Sequence, residues 1–360
     1  MKQAIKAFVV KMTFVFIACM VIGLGVTTHS EAETKVLKWA HAGPPVGVHP
    51  KAQKWMAEEI TKRTNGEIKF EFHWSGTLIN IRDIVSGVGK GVADFASPSV
   101  SMFTIRQNPH WTTLLLGFGN DYWALQMAGY ELMNNNPYIL AEFDKYNVVP
   151  THGYVAGTDL FIFRDQVGGL DGMKGKRVRV FGPIISGLAK EVGMVPVSTP
   201  LWDVHQNMEK GVIDGAFGAV NHYHSLKWYE VAKNAYYRDL KTLCGDCTTL
   251  INKDTWKSLS PKQQDVIKEV SKEYNDQYVR WIIEAEDSWI KEMEAAGARL
   301  HEFSPDANAA FMEATKKVRE DWFKKYDSDG NHTREVYNQL QATLKKYEKE
   351  VAEKGYPWQR

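Results

Sequence analysis

The sequence predicts an α/β protein with two lobes, and three observations lead to this fold class. Residues 170–217 alternate strand and helix patterns. The end of that segment, Lys-Gly-Val-Ile-Asp-Gly at 210–215, repeats an earlier Lys-Gly-Val-Ala-Asp-Phe at 90–95. The 328 residues that follow position 32 exceed what one hydrophobic core usually serves. A near-repeat about one domain apart is what a bilobal protein with a ligand between its lobes would show.

The first 32 residues have the pattern of a secretory signal peptide. Three lysines precede a nearly uncharged run at 12–26, and small residues stand at Ser30 and Ala32, before the expected cleavage site. A membrane anchor is the alternative, but about 15 apolar residues fall short of the roughly 20 that a spanning helix needs. Cleavage after Ala32 would leave 41 basic and 42 acidic residues. That balance gives no electrostatic reason to expect nucleic-acid binding.

The other elements follow from local signals. Ser260 is an amino cap, Pro261 occupies the first helical position, and the helical pattern then runs unbroken to Gly297. At about 1.5 Å per residue this helix would be roughly 50 Å long, enough to lie across both lobes. The predicted strands are 36–42, 67–74, 93–96, 177–180, 194–197, 212–217, 239–243, 248–251 and 298–303. The predicted helices are 51–64, 79–88, 183–190, 200–209, 260–297, one from 304 onward, and 333–353.

Two cysteines remain after the signal peptide, Cys244 and Cys247, in the order Cys-Gly-Asp-Cys. Such a pair in an exported protein is oxidised more often than it is free, so we predict a local disulfide. A redox or zinc site is less favoured, because the pair lies between predicted strands and no second pair exists. His222 and His224 could face a metal from a strand, but a third ligand is missing. We therefore predict no cofactor and no metal.

The basic strand at 177–180 supplies the strongest candidate for a binding residue. Arginine and valine alternate there, so Arg177 and Arg179 share one face while Val178 and Val180 share the other. In such α/β units the carboxyl end of a strand meets the amino end of a helix, where small anions bind. A guanidinium is a planar fork of donors that suits a carboxylate. An exposed structural arginine is the alternative interpretation for either residue.

Three segments resemble the extracytoplasmic solute-binding proteins of tripartite ATP-independent periplasmic (TRAP) transporters, in the dicarboxylate- and sialic-acid-binding branch. They are residues 173–180, 200–204 and 211–215, and the resemblance covers essentially the whole chain after the signal peptide. It implies a two-lobed periplasmic binding protein fold, with a long helix bridging both lobes and a cleft that closes on its ligand. It also implies that Arg179 binds the ligand's carboxylate and that a TRAP membrane permease is the partner.

The resemblance and the element pattern together predict the domain boundaries. The signal peptide is 1–32, and the mature chain would be periplasmic. The first lobe is 33–156 and 245–284, and the second lobe is 157–244 and 285–338. Residues 339–360 form a carboxyl-terminal helix and tail.

Two departures from the family pattern bear on the ligand. Sialic-acid-type members have a second arginine in a Gly-Thr-Arg context, where this chain has Asp159. They also have Gln-Glu-Asn after Asp-Gly, where this chain has Ala-Phe-Gly at 216–218. We therefore expect an organic monocarboxylate rather than a sialic acid or a dicarboxylate held at both ends. Asp159 would accept a hydrogen bond from it.

An aromatic or otherwise apolar ligand body is also expected. Trp202, Phe217 and Tyr223 lie at or just beyond predicted element ends on the cleft side of the second lobe. Each of these aromatic residues could equally belong to the hydrophobic core. His41, at the end of the first predicted strand, and Arg177 complete the set of candidate ligand-binding residues.

Two other functions stay open beside solute binding for transport. A periplasmic enzyme acting on a small carboxylic acid could use His205 or His222 with Asp203, but no Gly-x-Ser-x-Gly nucleophile motif occurs. We therefore predict that the protein is not an enzyme. A ligand-sensing subunit would use the same cleft as a transport subunit, and the sequence does not separate the two roles.

Overall fold

The computed structural model of the protein describes residues 34–97, 108–153, 155, 157–242 and 248–360. The predicted signal peptide at 1–32 and the predicted Cys244–Cys247 disulfide lie outside these residues. None of the helices in the described ranges has both the length and the apolar character needed to cross a membrane.

The described chain alternates strands and helices along most of its length. The strands are β1 (Lys35–His41), β2 (Ile68–His73), β3 (Phe95–Ser97), β4 (Phe118–Gly119), β5 (Val148–Gly153), β6 (Thr158–Phe163), β7 (Arg177–Val180), β8 (Val195–Ser198), β9 (Gly215–Ala219), β10 (Asn234–Thr242), β11 (Thr248–Asn252) and β12 (Arg299–Glu302). The helices are α1 (Val48–Arg63), α2 (Ile84–Gly89), α3 (Pro109–Thr113), α4 (Tyr122–Asn135), α5 (Pro137–Asp144), α6 (Leu170–Met173), α7 (Gly182–Glu191), α8 (Val204–Glu209), α9 (Val220–Ser225), α10 (Lys253–Ser258), α11 (Pro261–Ala295), α12 (Pro305–Asp327) and α13 (Thr333–Lys354).

These strands form two sheets, as the two-lobed prediction requires. The first sheet has the order β2-β1-β3-β11-β5, with β1 parallel to β3 and β11 antiparallel to both of its neighbours. The second sheet has the order β12-β10-β6-β9-β7-β8, and β4 also pairs with β10. Each sheet therefore contains a parallel strand pair next to antiparallel strands that arrive from a distant part of the chain.

Each sheet has its own hydrophobic core. The core of the first sheet includes Trp39 and Phe95 together with apolar residues of α1, α4 and α11. The second sheet is covered on both faces. Val178 and Val180 of β7 pack on one face with residues of α7 and α12, and Ala216 of β9 packs on the other with α8 and α9. Burial on both faces explains why the β7 valines and the β9 segment read as apolar in the sequence.

Helix α11 connects the two cores. Ser260 Oγ accepts a hydrogen bond from Gln263 N–H at 3.3 Å, and Gln263 Oε1 accepts one from Ser260 N–H at 3.0 Å, so the helix begins with a complete capping box. Its residues from Val266 to Ile282 contribute to the first core, whereas Met293 near its end belongs to the second. The prediction of a long helix lying across both lobes is therefore confirmed.

Two local predictions were wrong. The helix predicted at 79–88 begins only at Ile84, because Asn80 Oδ1 accepts hydrogen bonds from the backbone N–H groups of Arg82 and Asp83 and forms a turn. The segment with His222 and His224 is a helical turn of α9 and not a strand. Residues two apart on a helix do not share a face, so these imidazoles point to different surroundings.

Candidate functional site

Arg177 and Arg179 leave β7 in the same general direction but have different surroundings. Arg177 is an exposed residue whose Nη2 lies 2.7 Å from Asp214 Oδ1 and whose Nε donates to Asp214 Oδ2 at 3.0 Å. This ion pair lowers the pKa of Asp214. Arg177 therefore holds the start of β7 against the start of β9, and its guanidinium is committed to that carboxylate.

Arg179 is almost completely buried at the other end of the strand, with 1% of its surface exposed. Its Nε donates to the carbonyl of Thr199 and its Nη1 to the carbonyl of Phe217, both at 3.2 Å. The ring of Phe181 lies 5.5 Å from the guanidinium carbon. Two backbone carbonyls and an aromatic ring thus fix the orientation of a guanidinium beside the carboxyl end of β9, which is the arrangement expected of a preorganised anion site.

A cavity of about 90 Å³, open to solvent, lies between the two lobes. The first lobe lines it with residues of the β1–α1 segment, and the second lobe with the Leu201 turn and α9. The lining residues are His41, Gly43, Pro44, Val46, His49 and Pro50 from the first lobe, and Leu201, Trp202, Asn221, His222, Ser225 and Leu226 from the second. Its walls therefore come from both lobes, as the cleft prediction required.

The lobes touch at the rim of this cavity. A Cβ atom on Gly43 would lie 3.3 Å from Cζ3 of Trp202, and one on Gly47 would lie 3.4 Å from Oδ1 of Asn221. The half-buried Trp202 ring packs against the core of the first lobe. Gly47 also has φ +86°, a backbone conformation that other residues rarely adopt. These two glycines therefore permit a close approach of the lobes.

Two buried imidazoles form the first-lobe side of the cavity. Nε2 of His41 lies 3.5 Å from Nδ1 of His49, and His41 Nδ1 accepts a hydrogen bond from the Gly43 N–H at 3.0 Å. Burial lowers the pKa of His41 to about 4 and also lowers that of His49, which lies near other imidazoles. At neutral pH both rings are uncharged, so the first lobe offers neutral polar groups to this part of the cleft.

A polar network lies behind those imidazoles, at the carboxyl end of β3. Ser97 Oγ accepts hydrogen bonds from Trp39 Nε1 at 3.0 Å and from Gln53 Nε2, and it lies 3.0 Å from Thr249 Oγ1. All four residues are buried. The sequence had given no motif for this network, because its members come from four separate elements.

The remaining candidates are distributed between the cleft and the cores. Asp159 is 6% exposed on β6, directly opposite Ala219 of β9. The ring of Phe217 is 2% exposed and packs 5.0 Å from the ring of Phe161, while its carbonyl holds Arg179. Tyr223 is fully buried, and its hydroxyl donates to the Ala232 carbonyl at 2.7 Å. The Phe217 and Tyr223 rings are therefore core residues and do not line the cavity, whereas Trp202 does.

Asn221 and His49 line the cavity but were not among the predicted ligand-binding residues. Asn221 is 5% exposed, and its Oδ1 has no hydrogen-bond partner among the described residues. Neither residue stands in a recognisable motif. Only the folding of the β9–α9 junction against the β1–α1 loop brings them to one cavity.

The geometry gives no support to the catalytic alternative. His205 pairs with Glu230, at 3.6 Å between Nε2 and Oε2, rather than with Asp203. His224 contacts Glu292 at 2.8 Å on the outer side of α9, away from His222. The described ranges also contain no group of three His, Cys, Asp or Glu side chains that could hold a metal ion.

A bilobal α/β molecule with a cavity between its lobes has the architecture of solute-binding proteins. The family model for bacterial extracellular solute-binding proteins, family 7, matches residues 40–326. The chain belongs to this family, which confirms the resemblance to TRAP solute-binding proteins. Its members are binding proteins for solutes outside the cytoplasm.

Known proteins similar to this chain agree with that assignment. A solute-binding protein of Chromohalobacter salexigens is 23% identical over 313 residues, covering 85% of this chain and 90% of the relative. A TRAP solute-binding protein from a marine metagenome, solved with 3-hydroxybenzoate, has TM-score 0.78 and 21% identity, covering 88% and 99% of the two chains. A Bordetella pertussis receptor that binds pyroglutamic acid has TM-score 0.74 and 16% identity, covering 87% and 100%. The two-lobed fold class is thereby confirmed.

Proposed function

We propose that the protein captures an organic monocarboxylate in the cleft between its lobes and delivers it to the membrane permease of a TRAP transporter. The single observation that carries the proposal is Arg179, a buried guanidinium oriented by two backbone carbonyls and close to His222, which lines the interlobe cavity. A guanidinium held in a fixed orientation can bind a carboxylate through charge-assisted hydrogen bonds. Opening of the lobes exposes it, and closure seals the bound acid.

One carboxylate rather than two is expected in the ligand. Among the residues that line the described cavity, the first lobe contributes the uncharged imidazoles of His41 and His49, and Arg179 lies close enough to the second-lobe residue His222 to lower its pKa. Asp159 stands where sialic-acid-type members have a second arginine, and a carboxylate at that end would repel a second ligand carboxylate. The two similar structures described above bind 3-hydroxybenzoate and pyroglutamic acid, each with one carboxylate.

An apolar ligand body fits the wall formed by Trp202, Leu201 and Leu226. Aromatic acids and cyclic acids of similar size are therefore the first set to test. The signal peptide, cleaved after Ala32, would place the protein in the periplasm, where the permease presents its outer surface.

A thermal-shift screen tests this function. The panel would contain 3-hydroxybenzoate, phenylacetate, indole-3-acetate and pyroglutamate, with succinate, malate and sialic acid for comparison, and the uncharged amide of each monocarboxylate as its control. A ligand far above its Kd raises the melting temperature, so stabilisation by one of the monocarboxylates and not by its amide is expected. Stabilisation by the dicarboxylates alone would contradict the proposal. Native mass spectrometry of the purified protein would identify any acid that co-purifies.

A further inference from the structure

His222 is placed where it could contact a ligand that Arg179 binds. Helix α9 begins directly after β9, and His222 lines the interlobe cavity. Arg179 bonds to the carbonyl of Phe217, two residues before the Ala219 N–H that contacts His222. The guanidinium and the imidazole are thus both anchored on the last three residues of one strand.

The hydrogen bond to the backbone determines which ring nitrogen of His222 is protonated. The Ala219 N–H donates to His222 Nδ1 at 3.3 Å, and a nitrogen that accepts a hydrogen bond in a neutral imidazole carries no proton. The proton is therefore on Nε2, which is a donor. Among the described residues we find no acceptor for it.

His222 is uncharged in the folded protein. Burial and the positive charge of Arg179 lower its pKa to about 3. His49 of the first lobe also interacts with His222, and burial lowers the pKa of that imidazole as well. A second positive charge is therefore not added to the site near neutral pH.

Arg179 and His222 both present hydrogen-bond donors, so one carboxylate can accept from both. The guanidinium has donors only, and the Nε2–H of this tautomer is also a donor. We propose that His222 donates through Nε2–H to the same carboxylate that Arg179 binds, so that the site recognises the acid by one charged and one neutral donor. This inference rests on the proposed function and extends it to a second anchor residue.

Calorimetric titration of two variants, His222→Phe and His222→Gln, tests the inference. The ligand is 3-hydroxybenzoate or whichever acid of the panel stabilises the protein. Phe keeps the ring volume and removes the donor, whereas Gln places an amide N–H close to the position of Nε2. Because a hydrogen bond to a charged group is lost, Kd should rise about 10- to 100-fold in His222→Phe. His222→Gln should stay within about 5-fold of the wild-type Kd.

His224→Gln is the matched control, since His224 lies two residues along the same short helix and contacts Glu292 outside the cavity. Its Kd should equal that of the wild-type protein. The melting temperature without ligand, measured for every variant, separates loss of the donor from loss of folding.

A second ligand shows whether His222 recognises the carboxylate or only packs against the ring of the ligand. The alcohol analogue 3-hydroxybenzyl alcohol has the same ring without the carboxylate. If the imidazole donates a hydrogen bond to the carboxylate, His222→Phe should raise the Kd of the acid much more than the Kd of the alcohol. Equal weakening of both ligands, or an unchanged Kd for the acid in His222→Phe, would overturn the inference.

The Arg179→Ala variant shows which proposal has failed. If Arg179→Ala abolishes acid binding while His222→Phe leaves it unchanged, the second donor is refuted and the carboxylate site stands. If neither substitution changes the Kd of the acid, the proposed function of this cleft is refuted as well.

Discussion

Asp94 lies just before β3 in the first lobe and Asp214 lies just before β9 in the second lobe. We call these two junctions corners, and both have the same hydrogen bonds to the backbone of a neighbouring strand. The carboxylate of Asp94 accepts from the Lys38 N–H at 2.8 Å, and that of Asp214 accepts from the Arg177 N–H at 2.8 Å. The Asp N–H groups donate to the carbonyls of Lys38 and Arg177, at 3.0 and 2.8 Å. In both lobes the glycine three residues before the aspartate has a positive φ, 78° and 68°.

The two lobes differ two residues further along the equivalent strands. Ala40 pairs with Ala96 in the first lobe, and Arg179 pairs with Ala216 in the second. Because the first lobe builds the same corner with an alanine at that position, the fold does not need an arginine there. The basic residue that the corner does contain, Lys38 or Arg177, is part of the scaffold. The comparison therefore supports a structural role for Arg177 and is consistent with the ligand-binding role proposed for Arg179.

The largest expected effect separates these two arginines. Arg179→Ala should raise the Kd of the carboxylate ligand about 100- to 1000-fold, because a desolvated charge pair loses one partner. Arg177→Ala should change it by less than about 3-fold, since that guanidinium is exposed and paired with Asp214. Calorimetric titration measures both constants. Equal effects of the two substitutions would mean that the roles on this strand are assigned incorrectly.

Matched substitutions at the two corners test whether the corners are equivalent. Asp94→Ala and Asp214→Ala each remove an acceptor of a backbone N–H, so each should lower the free energy of unfolding by about 1–3 kcal/mol. Asp171→Ala is the control, because Asp171 is exposed and its ion-pair partner among the described residues is the nearby Lys174. This substitution should change stability by less than about 0.5 kcal/mol. Urea unfolding followed by circular dichroism measures these differences. If only one of the two substitutions, Asp94→Ala or Asp214→Ala, lowered the free energy of unfolding, the two corners would not be structurally equivalent.

The pH dependence of stability should reflect the buried histidines. Burial lowers the pKa of His152, in β5, to about 3, whereas the ordinary value of histidine is 6.5. Between these values the unfolded chain binds a proton that the folded chain does not, so stability falls as pH decreases below about 6.5. One such group contributes up to about 1.4 kcal/mol per pH unit.

Urea unfolding between pH 7 and pH 4.5 measures that slope. In His152→Gln the slope of the unfolding free energy against pH should fall by about the contribution of one proton. The same slope in the wild-type protein and in His152→Gln would show that His152 does not titrate as its burial implies.

The smallest effect concerns the place where the lobes touch. Gly43→Val puts a branched side chain against Trp202, where even a Cβ atom is only 3.3 Å from the ring. Closure should therefore be hindered, and the ligand Kd should rise about 10-fold with little change in the unfolding midpoint. Small-angle scattering should show that ligand reduces the radius of gyration less than in the wild-type protein. Full closure in Gly43→Val would mean that this contact does not limit the approach of the lobes.

Much of the fold was predictable because its signals are local. The Ser260 cap with Pro261 gave the start of the long helix, and alternation gave the two faces of the strand at 177–180. The repeated Lys-Gly-Val-x-Asp sequence indicated two similar units, and the hydrogen bonds at Asp94 and Asp214 show what the repeat does.

The cavity was less predictable because tertiary contacts determine it. Tyr223 and Phe217 were expected to face the ligand, but an aromatic residue near the end of a strand fits a core equally well. Asn221 and His49 line one cavity because two segments that are distant in the sequence fold together. The tautomer of His222 depends on a hydrogen bond within a turn that had been interpreted as a possible strand.

A crystal structure of the protein with a bound acid from the screen tests the central claim most directly. We expect both lobes to contact the acid, with a carboxylate oxygen within about 3 Å of an Arg179 Nη atom. Arg177 should still pair with Asp214 in the same crystal. A carboxylate bound by Arg177, or by groups of the first lobe alone, would contradict the assignment of the ligand site to Arg179.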